Sequence, residues 1–157
     1  MAVFKPVKTP CVGICSTGVG DVVCRGCKRF THEVIHWNAY TEDQRRVIAR
    51  RLETYLAQVV ANYLLIVDQH HLQLQIDHQQ ISYQPAQDPY CWVFELLRAG
   101  ASQVRLQDYG LQQQKAAAGL TLVDIKEAID RDFYALTCAY YDRYIAPGLK
   151  TDEDSNK

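Results

Sequence analysis

Four cysteines crowd into one glycine-bearing stretch, PCVGICSTGVGDVVCRGC over residues 10–27, and no other feature constrains the fold of this chain as tightly. Cys11, Cys15, Cys24 and Cys27 are spaced C-x3-C-x8-C-x2-C. Each pair is short enough for one chain reversal to turn both sulfurs inward, and the eight-residue loop lets the two reversals meet around one point. Four converging thiolates suit a zinc ion, and they suit a rubredoxin-like iron or an iron–sulfur cluster equally well. Cys24-Arg-Gly-Cys27 has the form of a metal knuckle: Gly26 permits the turn, and nearby backbone N–H groups can donate to thiolate sulfur. The alternatives are two disulfides or four separate buried thiols, and a chain of 157 residues can bury enough core to need neither. Four cysteines leave zinc no open position, so a zinc ion here is expected to fold the segment rather than to catalyse. Residues 10–27 hold few large apolar side chains, and the metal would supply most of their folding free energy.

The compartment matters for this reading. Residues 1–10 carry lysines and prolines but no apolar leader segment, and the longest strongly apolar run, Leu64–Val67, is far too short to span a bilayer. The expectation is a reducing cytoplasm and no membrane association, where clustered cysteines point to metal or redox chemistry. Charge is uneven: residues 1–57 hold nine Lys/Arg against five Asp/Glu, and residues 58–157 hold eight against thirteen. The front is basic and the rear acidic.

Periodicity supplies the elements. Residues 1–10 read as an extended arm. Thr31 is placed to cap a short helix through Val34, Ile35 and Trp37, ending near Asn38. Thr41 with Gln44 forms a capping box for a long helix from Glu42 to about Val67, its buried face drawn from Ile48, Leu52, Tyr55, Leu56, Val59, Tyr63 and Ile66. Leu72, Leu74 and Ile76 alternate with glutamines, and Ile81 and Tyr83 alternate beyond Asp77-His-Gln-Gln80, which predicts a β-hairpin. YCWVFELLRAG predicts a short buried helix closed by Gly100, and Val104–Leu106 a possible strand. A last long helix starts at Thr121, buries Ile125, Ile129, Phe133, Leu136 and Tyr140, and stops at Pro147-Gly148. The fold class is therefore α+β, mostly helical: a four-cysteine metal knuckle, a long helix, a β-hairpin and further helices. The expected organisation is a metal-binding module over 1–57, a helical α+β domain over 58–150 and a solvated tail over 151–157.

PCVGICSTGVGDVVCRGCKRF followed by HEVIHWNAYTEDQRRVIARRL resembles a small family of bacterial four-cysteine domains of unknown function, the YdhL-like domains, labelled predicted iron–sulfur proteins. Pro10, Cys11, Gly13, Cys15, Cys24, Gly26, Cys27, Glu33, Val34, Trp37, Arg45 and Arg46 fall on the family pattern. The resemblance covers about residues 9–54 and implies a cysteine-bound iron–sulfur cluster; the remaining hundred or so residues resemble no family.

Other constellations have plainer readings beside functional ones. His32, Glu33 and His36 match H-E-x-x-H, the zinc-protease spacing, but on a helix of under three turns. Arg25, Lys28, Arg29, Arg45, Arg46, Arg50 and Arg51 could form one patch that contacts a partner or RNA phosphates, with Trp37 or Tyr40 to stack on bases; they could equally form a solvated helix face. Cys91 and Cys138 read as core thiols, and His70, His71 and His78 as surface histidines. Tyr134, Tyr140, Tyr141 and Tyr144 cover more than one face of the last helix, which suits a homodimer seam or packing inside one domain. Val12, Ile14, Val22 and Val23 could shell a cluster or pack the knuckle onto Trp37. Together these features predict a small metal-binding protein whose site, zinc or iron–sulfur, organises an N-terminal module for a protein or RNA partner; the alternative is an iron–sulfur electron-transfer protein.

Overall fold

The computed structural model describes residues 6–149, so the first half of the expected N-terminal arm and the expected tail over 151–157 lie outside the described residues. Within them the fold is mostly helical α+β, as the periodicities predict. Helices α1 (Thr31–His36), α2 (Glu42–Tyr63), α3 (Gln69–His78), α4 (Pro89–Gly100) and α5 (Leu122–Tyr140) alternate with strands β1 (Leu64–Ile66) and β2 (Leu111–Gln113). By its contacts the chain divides into two compact units: Met1–Leu52 with Tyr134–Lys157, and Glu53–Phe133. Helices α2 and α5 each contribute residues to both.

In the second unit the core is aliphatic. Val60, Leu64, Leu72, Ile76, Val93, Leu96, Leu97, Ile125 and Ile129 are fully buried, each contributing about 1.5–3 kcal/mol of transfer free energy. Helix α4 starts as its sequence dictates: the Asp88 carboxylate accepts the Tyr90 N–H at 2.9 Å, and Pro89 occupies the first turn, where its missing N–H costs nothing. Trp92 is buried with its indole N–H donating to the Gln84 carbonyl at 3.0 Å. Thr121 and Asp124 cap α5 reciprocally, a complete capping box with aspartate in place of glutamate.

Three expectations are corrected here. The strands are not at residues 72–83: Gln69–His78 is helical, Asp68 caps it by accepting the His71 N–H at 3.0 Å, and residues 81–84 form no strand. Leu72 and Ile76 lie one helical turn apart and are both fully buried, whereas Leu74 is 54% exposed. The period that looked like alternation is the inner edge of a helix. The antiparallel pair is instead β1 with β2, in register Leu64 to Gln113, Leu65 to Gln112 and Ile66 to Leu111. That pairing also ends α2 at Tyr63, four residues before the expected Val67. Nor is there a strand at Val104–Leu106; a tight helical turn over Leu106–Tyr109 leads to Gly110, whose φ of +65° and closeness to the Asp68 carbonyl exclude a side chain.

The first unit gathers the cysteine segment, α1, the start of α2 and the end of α5. Thr41 and Gln44 form the predicted capping box at α2, with bonds of 2.8 and 3.2 Å. Helix α1 ends in a tight turn over Trp37–Ala39, close to the expected Asn38. Its cap differs from expectation: Glu33 accepts the Phe30 N–H at 2.9 Å, and the Thr31 hydroxyl donates to the Asp21 carbonyl at 2.8 Å instead. Beyond Tyr140 the chain widens into a π-helical turn, Tyr141–Ile145, and stays helical through Leu149, past the expected stop at Pro147. A wider turn loosens the fit between the proline ring and the preceding carbonyls that normally ends a helix. The turn brings Tyr140 and Tyr141 onto Phe30, with ring centroids 6.1 and 5.3 Å away, and sets Tyr144 4.9 Å from Tyr140. Three of the tyrosines crowding this helix thus pack within their own unit.

Candidate metal centre

The second cysteine pair sits on a knuckle built by the backbone. Val23 and Phe30 pair as an isolated antiparallel bridge, the Cys24 N–H donates to the Arg29 carbonyl at 2.8 Å, and the Lys28 N–H donates to the Cys24 carbonyl at 2.8 Å. Closing so tight a loop puts Lys28 at φ +65°, a left-handed conformation uncommon for lysine. Its side chain helps to hold it there: buried almost completely, it curls under the turn so that Nζ donates to the carbonyls of Arg25 and Gly26 at 2.5 and 3.0 Å.

The first cysteine pair lies on the loop that rests against this knuckle. A methyl group at Gly26 would collide with the Ile14 carbonyl oxygen and press on the Val12 side chain, so only glycine admits the approach. The Arg25 N–H donates to the Ser16 hydroxyl at 2.8 Å, and the Cys24 thiol donates to the Ile14 carbonyl at 3.6 Å. The two chain reversals demanded by the spacing are therefore apposed. The thiols differ in setting: Cys24 and Cys27 are buried, while Cys11 and Cys15 are exposed. The Cys11 sulfur accepts the Gly13 N–H at 3.5 Å, and the Cys15 sulfur lies 3.0 Å from the Thr17 hydroxyl. No three His, Cys, Asp or Glu side chains among the described residues stand together at metal-ligand spacing.

Local electrostatics treat the two knuckle thiols oppositely. Burial alone would raise the Cys24 thiol, but the N–H groups of Cys27, Ser16 and Gly26 directed at its sulfur outweigh burial and bring it down to about 7. Burial pushes Cys27 up, against the pull of the Arg29 guanidinium, whose Nε donates to its sulfur at 3.2 Å. A backbone nest around one sulfur, a cation on another and two further thiols on an apposed loop match a thiophilic metal in donor chemistry, though the four sulfurs do not stand at ligand spacing in this structure. Cys11, Cys15, Cys24 and Cys27 would hold it. Of the valines and isoleucine expected to shell the site, only Val23 is buried; Val12, Ile14 and Val22 are 40%, 68% and 48% exposed.

The basic residues are distributed differently from a single patch. Arg51 is held in a two-pronged pair with Glu33, at 2.7 and 2.8 Å, and lies 4.1 Å over the Phe30 ring. Arg45 bonds to the carbonyls of Trp37 and Asn38 and to Glu42. Arg46 pairs with Asp43, and Arg25 pairs with Asp21 while covering the Tyr134 ring at 4.7 Å. Lys28 and Arg29 are buried, and of the seven only Arg25 and Arg50 are largely exposed. Trp37 is also buried, with Arg29 and Arg45 over its ring, so one of the two residues expected to stack on bases serves the core, while Tyr40 is half-buried. Glu33 spends both oxygens on Phe30 and Arg51, His32 stacks on Phe30, and His36 faces Tyr40. The three residues of the H-E-x-x-H spacing form no common site. Cys91, in the second unit, is a buried thiol, pushed up to about 12 by burial and by the carboxylates of Glu53, Asp88 and Glu95.

Residues 9–55 match the model of a family described as a protein of unknown function, DUF1289, in agreement with the resemblance read over residues 9–54. The match covers the cysteine segment, α1 and the first two thirds of α2. No curated protein and no solved structure matches the chain. Among the described residues no helix is long and apolar enough to cross a membrane.

Proposed function

We propose that the first unit is a metal-binding module in which Cys11, Cys15, Cys24 and Cys27 hold a zinc ion or an iron–sulfur cluster. The observation that carries this reading is the apposition at Gly26, where the loop bearing the first cysteine pair rests on the knuckle bearing the second so closely that no Cβ fits. The bound metal would staple the exposed loop to the buried knuckle and fix the surface around it. Free thiols in such a site belong in a reducing compartment such as the cytoplasm.

That surface suits a protein partner better than RNA. Ile14, Val19 and Val22 expose apolar side chains beside the cysteine loops, while Arg29, Arg45 and Arg51 and the Trp37 ring are engaged inside the module. Phosphates would be met through Arg25, Arg46 and Arg50, of which Arg25 and Arg46 already pair with Asp21 and Asp43, and a homodimer would use the outer tyrosine, Tyr144, 59% exposed. A second reading, electron transfer by an iron–sulfur cluster, is favoured by the N–H groups donating to the Cys24 and Cys27 sulfurs, a common means of raising cluster potentials.

Metal content together with a visible spectrum, on protein purified without oxygen, tests the proposal. One colourless zinc per chain supports the staple; iron with sulfide and broad visible absorption supports the cluster. A chain that binds neither, and in which Cys24→Ser leaves hydrogen exchange over residues 10–30 unaltered, refutes both.

A further inference from the structure

Arg25, Arg45, Arg46 and Arg51 each face a carboxylate, but Arg29 faces a sulfur. Its residue is only 4% exposed, and no carboxylate among the described residues lies within ion-pair distance of it. Its carbonyl is pinned by the Cys24 N–H at 2.8 Å, which turns the side chain back across the knuckle. There the guanidinium lies 4.9 Å over the Trp37 ring and donates Nε–H to the Cys27 sulfur at 3.2 Å. A ring face attracts a cation only weakly, and a buried guanidinium is unfavourable unless an anion stands beside it. Among the described residues, the group in place to be that anion is the Cys27 sulfur, 3.2 Å from Arg29 Nε, which would be a thiolate when it ligates a metal.

We propose that Arg29 is a positioning residue of the four-thiolate site: it fixes the Cys27 sulfur by a charge-assisted hydrogen bond and offsets part of the thiolate charge, thereby setting how tightly the site holds a metal and how strongly that sulfur donates to it. The inference rests on the metal-binding reading of the same cysteines. It explains why a cation is buried at the base of the knuckle, and it separates Arg29 from Arg45. Arg45 also lies over the Trp37 ring, at 5.7 Å, but bonds only to oxygen. A hydrogen bond to sulfur withdraws electron density from it, so removing the bond should lower the energy of sulfur-to-metal charge transfer.

The test uses the full chain, reduced and loaded with cobalt(II), whose thiolate charge-transfer band reports on sulfur directly. Arg29→Met keeps the apolar stem over Trp37 and removes both the N–H and the charge. We expect cobalt affinity, measured by chelator competition, to fall about 10- to 100-fold and the band to move to lower energy. Arg29→Lys keeps the charge without the Nε–H, and should recover part of the affinity but not the band position. Arg45→Met should change neither. A wild-type chain that binds cobalt through thiolates, with Arg29→Met unmoved in band and affinity, overturns this inference alone. A wild-type chain with no thiolate band overturns the metal reading and this inference with it. Should Arg29→Met fail to fold, Arg29→Lys decides: an unshifted band refutes the hydrogen bond.

Discussion

The ion pair of Glu33 with Arg51 ties the short helix α1 to the long helix α2, and its severance is the sharpest test of how the first unit is held together. The side chains are only 6% and 16% exposed, so solvent screens them little. Glu33 accepts two N–H groups from Arg51 and a third from Phe30. Glu33→Gln preserves one acceptor oxygen for the Phe30 cap but leaves the guanidinium largely buried without its counter-charge. Breaking one side of a buried pair costs about 3–5 kcal/mol, and the retained cap places this variant near about 3 kcal/mol. Arg51→Met leaves the carboxylate one N–H and no cation, and should cost a similar amount. If the two losses describe one interaction, the double variant should cost less than their sum by about 2–3 kcal/mol. The two tryptophans, Trp37 and Trp92, fall one in each unit, so urea titration of Trp37 fluorescence in a Trp92→Phe background reads the first unit selectively. A coupling below about 0.5 kcal/mol would refute the argument, because the pair would then behave as an exposed one.

Gly26→Ala should abolish stoichiometric zinc or iron retention while leaving the Trp92 signal of the second unit unchanged, since the added methyl displaces the Cys11–Cys15 loop; full retention on elemental analysis would show that the two loops need not touch. Cys91 should resist thiol reagents at pH 8 in the folded protein and react only on unfolding. Its thiol stays neutral in the native state up to about 12, whereas an unfolded thiol ionises near 9.0, so its contribution leaves stability unchanged below about pH 9 and lowers it as pH rises from there toward 12. Cys91→Ala should flatten that alkaline decline; an identical slope would mean that the thiol is not shielded.

Local signals in the sequence carried the helices well. The Thr41–Gln44 box, the Asp88-Pro89 start and the Thr121–Asp124 pair all lie within four residues of what they cap, so their bonds can be read without knowing the fold. The strands were different. Leu64–Ile66 follows α2 directly, and its partner lies some forty-five residues on, so nothing local distinguishes it from another helical turn. At residues 72–76 two periods coincide, and a three-residue sample of Leu72, Leu74 and Ile76 satisfies alternation while hiding that only the outer two are buried. The cysteines and the Gly26 turn were legible because spacing alone constrains a knuckle. The roles of the arginines were not, because each is decided by which carboxylate, ring or sulfur the fold brings to it. Glu33 reaches Arg51 across eighteen positions, and Arg29 finds Cys27 only after the chain reverses.

The grouping of Tyr134–Lys157 with the N-terminal residues also bears on synthesis. The second unit is continuous in sequence, so it can fold as soon as it clears the ribosome, whereas Phe30 must wait for Tyr140 and Tyr141 to be made before its rings can stack. At about 5–20 residues per second, the interval between Leu52 and Tyr140 is on the order of 5–20 s. Through that interval the four thiols stand on a scaffold that still lacks the aromatic contacts closing the first unit.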